Sequence, residues 1–139
     1  MARLWSSGFE SNTITANVEW SSNSGSPSIQ TTTVRSGTYA LQINSLSGVT
    51  AKRLLYQFKS SNNLGPFYAR VYVNFATFPG AENVFFMLTP NTNGSATSAI
   101  RITVNNTGVL RLRNNSTQVG SASSALSTNT WYRIELKID

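Results

Sequence analysis

The chain has 139 residues, with no histidine, no cysteine and five acidic side chains against eleven Lys and Arg, for a net charge of +6 at pH 7. These absences exclude Ser-His triads, thiolate nucleophiles and His/Cys metal sites. General acid–base catalysis, which draws mostly on His and tuned carboxylates, is left with only Glu10, Glu19, Glu82, Glu135 and Asp139. Charged residues make up 12% of the chain, half the usual share of about 25%, and Ser, Thr, Asn and Gln fill the difference. The length fits one domain over residues 1–139 with a core of its own.

From the N-terminus, Met1 to Gly8 lacks the long apolar stretch of a secretion signal. No apolar run approaches the roughly 20 residues that span a bilayer. The expected location is a virion or the extracellular space, with no membrane partner. Period-two alternation then dominates. Tyr39, Leu41 and Ile43 alternate with Ala40, Gln42 and Asn44. Phe67, Ala69, Val71, Val73 and Phe75 alternate with Tyr68, Arg70, Tyr72 and Asn74. Ile100, Ile102 and Val104 alternate with Arg101 and Thr103, and Leu110 and Leu112 with Arg111 and Arg113. Tyr132, Ile134, Leu136 and Ile138 alternate with Arg133, Glu135 and Lys137. This pattern predicts antiparallel strands with one buried and one wet face.

Turn signals such as Ser36-Gly37, Pro79-Gly80, Thr107-Gly108 and Gly120 punctuate the runs at fairly even intervals. The polar stretches 21–28 and 116–127 are expected to be long loops. The resulting expectation is an all-β protein, an antiparallel two-sheet sandwich. Four Asn-x-Ser/Thr sequons start at Asn93, Asn105, Asn114 and Asn115; in so polar a chain they read as composition.

Several segments together resemble the concanavalin A-like, laminin-G-like jelly-roll superfamily. They are Gly8-Phe9-Glu10, Ser36 to Ile43, Phe67 to Phe75, Gly108 to Leu112 and Thr130 to Leu136, in that order and spacing. The resemblance implies a jelly-roll sandwich. It does not fix a function, because that superfamily holds lectins, glycanases, lyases, adhesion modules and phage virion proteins. In the family the last of these strands is followed by others that close the sheet, whereas this sequence stops at Asp139. The resemblance therefore implies a jelly roll lacking its last strands, one completed by a neighbouring chain, or a truncated product. An open edge strand is a template for association, which points to a homo-oligomer or larger assembly.

Three catalytic or metal readings are disfavoured by the residues. Glu135 and Asp139 lie four apart on one predicted strand face, about 13 Å along a straight strand, whereas a retaining glycosidase pair stands roughly 5–5.5 Å apart. Lys137 also sits where laminarinase-type members carry their central Asp. Alginate-lyase-type members use Gln, His, Tyr and Arg, and only Gln57, Tyr72 and Arg70 are at hand. Calcium needs several oxygen ligands, usually including carboxylates, and the loops offer Glu82 alone, with Glu10 and Asp139 a weak pair if the first and last strands are neighbours. No cofactor and no metal are expected.

The candidate site is instead a row of wet-face residues, Arg70, Tyr72, Arg101, Arg111, Arg113 and Arg133. On adjacent strands of one sheet they would form a cationic face with tyrosine platforms. Ordinary polar positions on any sheet explain the same row. The tryptophans Trp5, Trp20 and Trp131 are assigned to packing. Nucleic acid is not the expected partner, because the positive charge is spread out and only Lys52-Arg53 is an adjacent basic pair. The expected function is a non-enzymatic assembly module of a virion surface, a capsid decoration or tail-associated protein that docks through its basic face and edge strands. The alternatives are a lectin-like domain for anionic polysaccharide and a degenerate glycanase.

Overall fold

The computed structural model describes residues 6–14, 22–24, 27–44, 53–55, 67–88 and 99–138. Ten strands and no helix occur among them, and every sheet is antiparallel. No helix among the described residues is long and apolar enough to cross a membrane. The chain divides into two compact units, Met1–Asn63 and Leu64–Asp139.

The first unit carries two short ribbons. Strand β1 (Ser22–Ser24) pairs with β4 (Arg53–Leu55), and β2 (Ser28–Gln30) pairs with β3 (Ala40–Gln42). Polar residues build β1 and most of β2, so backbone pairing holds these strands where side-chain alternation gives no signal. That corrects the expected loop over 21–28. Gln30 organises the turn that follows it: its Oε1 accepts from the Thr32 and Thr33 amides at 2.6 and 2.8 Å, and its Nε2 donates to the Thr33 carbonyl. The alternation over 39–44 is cut short, because β3 ends at Gln42. Ala40 is buried and Ile43 is 47% exposed, the reverse of the expected faces.

The segment around Glu10 explains why Gly8-Phe9-Glu10 and the stretch from Ser36 belong together. The Glu10 carboxylate accepts hydrogen bonds from the Thr38 amide at 3.2 and 3.0 Å and from the Tyr39 amide at 3.3 Å. Gly37 sits at φ +78°, and a Cβ there would collide with this carboxylate. Only a glycine takes that backbone at no steric cost. The acid caps a turn and its amides as a side-chain oxygen caps a helix start, here with a charge-assisted bond.

The second unit contains a long ribbon and a four-stranded sheet. Strands β5 (Phe67–Asn74) and β10 (Trp131–Ile138) pair along their full length, from Phe67 opposite Ile138 to Asn74 opposite Trp131. Exposure follows the alternation on β10, where Arg133, Glu135 and Lys137 are exposed between half-buried Ile134 and Leu136. It also does so at the start of β5, where Tyr68 and Arg70 are exposed and Ala69 and Val71 half-buried; Tyr72 and Asn74, expected on the wet face, are half-buried like Val73. The sheet runs β6 (Asn83–Leu88), β7 (Ile100–Val104), β8 (Leu110–Asn114), β9 (Thr117–Val119) in sequence order. Its buried face includes Ile102 and Val104, with Ala99 completely enclosed just before β7.

Two strands of this sheet lie where the alternation predicts none. In β6, Val84 faces Thr103 and Phe86 faces Ile102, so Phe85 is an extra residue, a bulge. A bulge shifts the alternation by one position, leaving the run Val84 to Leu88 without a period. The Phe85 ring stands edge-on to Phe75 at 5.3 Å, and Phe78 packs on Phe75 at 5.7 Å. These rings connect the end of β5 to β6, in geometries favoured by the aromatic quadrupole. Strand β9 occupies Thr117–Val119, inside the stretch expected to be a loop, and all three of its residues are exposed.

Hairpin chemistry sets the register of the sheet. Between β7 and β8, the Asn105 side chain accepts from the amides of Thr107 and Val109 at 3.0 and 2.9 Å, and Gly108 completes the turn at φ +79°. Between β8 and β9, Asn115 takes φ +55°, and its Oδ1 accepts from the Ala99 amide at 2.8 Å. Asn tolerates that left-handed backbone better than most residues. Two of the four sequon asparagines thus serve as turn residues.

Gly108 lies against the Phe78 ring and the Leu126 carbonyl, where a Cβ would come within 2.5 and 2.9 Å, whereas Gly120 at φ +70° has open space around it. Gly108→Ala is therefore expected to cost about 2–4 kcal/mol and Gly120→Ala about 1 kcal/mol. Urea unfolding of the two variants beside the parent tests this; equal losses would contradict the packing at Gly108.

Candidate functional site

The basic row divides between the two sheets of the second unit. Arg70, Tyr72 and Arg133 lie on the β5–β10 ribbon, while Arg101, Arg111 and Arg113 lie on β7 and β8. Each group contains one carboxylate.

On the ribbon, Arg70 and Glu135 are directly opposite, as are Tyr72 and Arg133. The Arg70 Nε donates to Glu135 Oε1 at 2.6 Å, and Arg133 Nε lies 3.5 Å from Glu135 Oε2. The Glu135 hydrogen bond and charge raise the Arg70 pKa further above its ordinary value, with Tyr72 adding to the effect. The pair is open to water, with side chains 57% and 46% exposed, so its contribution to stability is small. Tyr68, 55% exposed, continues the same face opposite Lys137. Glu135 thus serves as a counter-ion to two arginines. Asp139, its proposed partner for acid–base work, lies outside the described residues, as do Gln57, Trp5 and Trp20. Trp131 opens β10 half-buried, opposite Asn74.

The other group is more enclosed. Glu82 precedes β6 and reaches across β7 to β8. Its Oε1 accepts from the Thr103 hydroxyl at 2.7 Å and from Arg113 Nε at 2.7 Å, and its Oε2 accepts from Arg111 Nη1 at 3.1 Å. Arg113 also places Nη2 2.6 Å from Oε1 and donates from Nη1 to the Ser116 carbonyl at 2.8 Å. Thr103, an expected wet-face residue, is buried at 4% exposure beneath this cluster. A buried hydroxyl needs a partner, and Glu82 supplies it. The carboxylate is held below the usual range, first by the Thr103 hydroxyl and then by Arg113 and Arg111, against an opposing effect of burial.

Arg101 differs from its neighbours. It lies directly opposite Arg113 on one side and Met87 on the other. Its Nε is buried without a hydrogen-bond partner, and among the described residues no carboxylate pairs with its guanidinium. The side chain as a whole is only partly buried.

Glu82 is the site residue that alternation could not find. A lone acid between the Pro79-Gly80 turn and an aperiodic apolar run is legible as a counter-ion only once β6 is known to flank β7. No group of three or more potential metal ligands occurs among the described residues. Comparison with protein-family models, curated proteins and solved structures finds no match for the chain.

The lowered pKa of Glu82 has a defined pH consequence. A carboxylate depressed in the folded state contributes stability that is fully present above its unfolded value, 4.5, and is lost as pH falls through the lower folded value. Glu82→Gln is therefore expected to destabilise the protein at neutral pH, with the difference from the parent shrinking below about pH 4. Urea unfolding across that range measures it; a difference that stays constant would show that Glu82 is not titrating against these partners.

Proposed function

We propose that the chain is a non-enzymatic assembly module of jelly-roll type, a component of a virion surface, which docks through basic sheet faces onto an acidic protein lattice. The observation that carries this reading is the use of charge in the two sheets. Each described carboxylate is engaged inside the molecule: Glu10 on backbone amides, Glu82 on Thr103, Arg111 and Arg113, and Glu135 on Arg70 and Arg133. General acid–base chemistry needs a carboxylate within reach of a substrate proton, and these are directed at their own protein. Positive charge remains in excess, and it lies on strand faces, the geometry for a broad contact with a surface of opposite sign. Assembly with further copies, as a symmetric homo-oligomer, belongs to the same proposal.

A second reading has an observation of its own. On the β5–β10 ribbon, exposed Tyr68 lies among Tyr72, Arg70, Arg133 and Lys137. Aromatic faces beside cations suit an anionic polysaccharide, and this face would serve a lectin-like domain.

Light scattering coupled to size-exclusion chromatography, together with titration of polygalacturonate, separates the two. The assembly reading expects a defined oligomer and no saturable binding of the glycan. A monomer that binds polygalacturonate saturably, with the affinity lost in Arg70→Gln, overturns it in favour of the lectin.

A further inference from the structure

Arg101 is the exception in a face whose other arginines are paired. Its Nε is enclosed without an acceptor, and among the described residues its guanidinium has no counter-ion, so the charge of this side chain is left uncompensated within the molecule. Its direct cross-strand neighbour is Arg113, and like charges directly opposite on a sheet destabilise each other. Arg113 cannot relieve Arg101, because a guanidinium only donates, and its own N–H groups go to Glu82 and the Ser116 carbonyl. Glu82 does not do so either: it accepts from Thr103, Arg111 and Arg113, with no bond to Arg101. Three arginines around one carboxylate leave this patch short of negative charge.

We infer that Arg101 is the seat for a glutamate-type side chain of an acidic partner polypeptide, received on the β7–β8 face between Met87 and Arg113. The inference rests on the docking reading above and specifies where that docking has its anchor. The chemistry selects the ligand. With Nε enclosed, the two terminal nitrogens of Arg101 form the planar fork that would meet a carboxylate bidentately, and the Glu82-locked Arg113 adds a fixed positive field beside it. Met87, opposite Arg101 on the β6 side, offers an apolar thioether to the methylene stem of the incoming acid. A sugar acid would want an aromatic platform instead, and the strand positions flanking Arg101 and Arg113 carry Met87 and Gln118. The Phe85 ring of β6 is engaged with Phe75. The tyrosines Tyr68 and Tyr72 belong to the other sheet.

Poly-L-glutamate is the probe, titrated by calorimetry at low and moderate salt into the full chain and into Arg101→Gln and Arg70→Gln. These variants remove equal net charge from different sheets, so long-range attraction weakens equally in both. Arg101→Gln is expected to lose about ten- to a hundredfold in affinity and Arg70→Gln only a few-fold, with thermal unfolding showing both folded. Equal modest losses, or a larger loss in Arg70→Gln, would overturn Arg101 as the anchor while leaving the docking reading intact. Tighter binding of polygalacturonate than of poly-L-glutamate, lost in Arg101→Gln, would overturn the polypeptide as the ligand. No binding of poly-L-glutamate by the parent at either salt would remove the docking reading together with this inference.

Discussion

A single carboxylate, Glu82, governs the polar side of the four-stranded sheet. From its place before β6 it reaches over Thr103 of β7 and meets Arg111 and Arg113 of β8. The contacts cross three neighbouring strands, so they reinforce the order that the backbone ladder sets. They also settle a problem of charge. Without Glu82, Arg101, Arg111 and Arg113 would share one face with no counter-ion, and the Thr103 hydroxyl would be buried without its best acceptor. With side chains only 28% (Glu82) and about a quarter (Arg111, Arg113) exposed, this cluster is screened less by solvent than the Arg70–Glu135 pair.

The same economy appears wherever the described carboxylates fall. Glu10 holds the amides of the turn that leads into β3, and Glu135 stands between Arg70 and Arg133. A chain with five acidic residues and eleven basic ones has few counter-ions. It places these three where each satisfies several donors. What remains unsatisfied is positive, and among the described residues it is most sharply localised at Arg101. The composition that leaves few carboxylates thus also leaves positive charge in excess on the strand faces.

Much of this architecture is legible in the sequence. The alternations from Phe67, from Ile100, from Leu110 and from Tyr132 each mark a strand, and on β10 the expected face is outward; on β7 and β8 the polar face is itself covered, with Thr103 buried and Arg111 and Arg113 half-buried around Glu82. Strand β6 is not legible by period, since the bulge at Phe85 breaks the alternation. Strands β1, β2 and β9 are hidden for another reason: short, polar and held by backbone pairing, they leave no hydrophobic pattern. The basic row was legible residue by residue, but its division between two sheets depends on β5 pairing with β10 across most of the second unit. That pairing is long-range, and alternation carries no information about partners.

NMR observation of the arginine Nε–H resonances during titration with poly-L-glutamate tests most directly where acidic contacts fall on these two sheets. The Arg101 resonance is expected to move most, Arg113 beside it less, and Arg70 to keep the signature of its Glu135 pair. Movement confined to Arg70 and Arg133, with Arg101 unchanged, would contradict this expectation and would place the acidic contact on the β5–β10 ribbon.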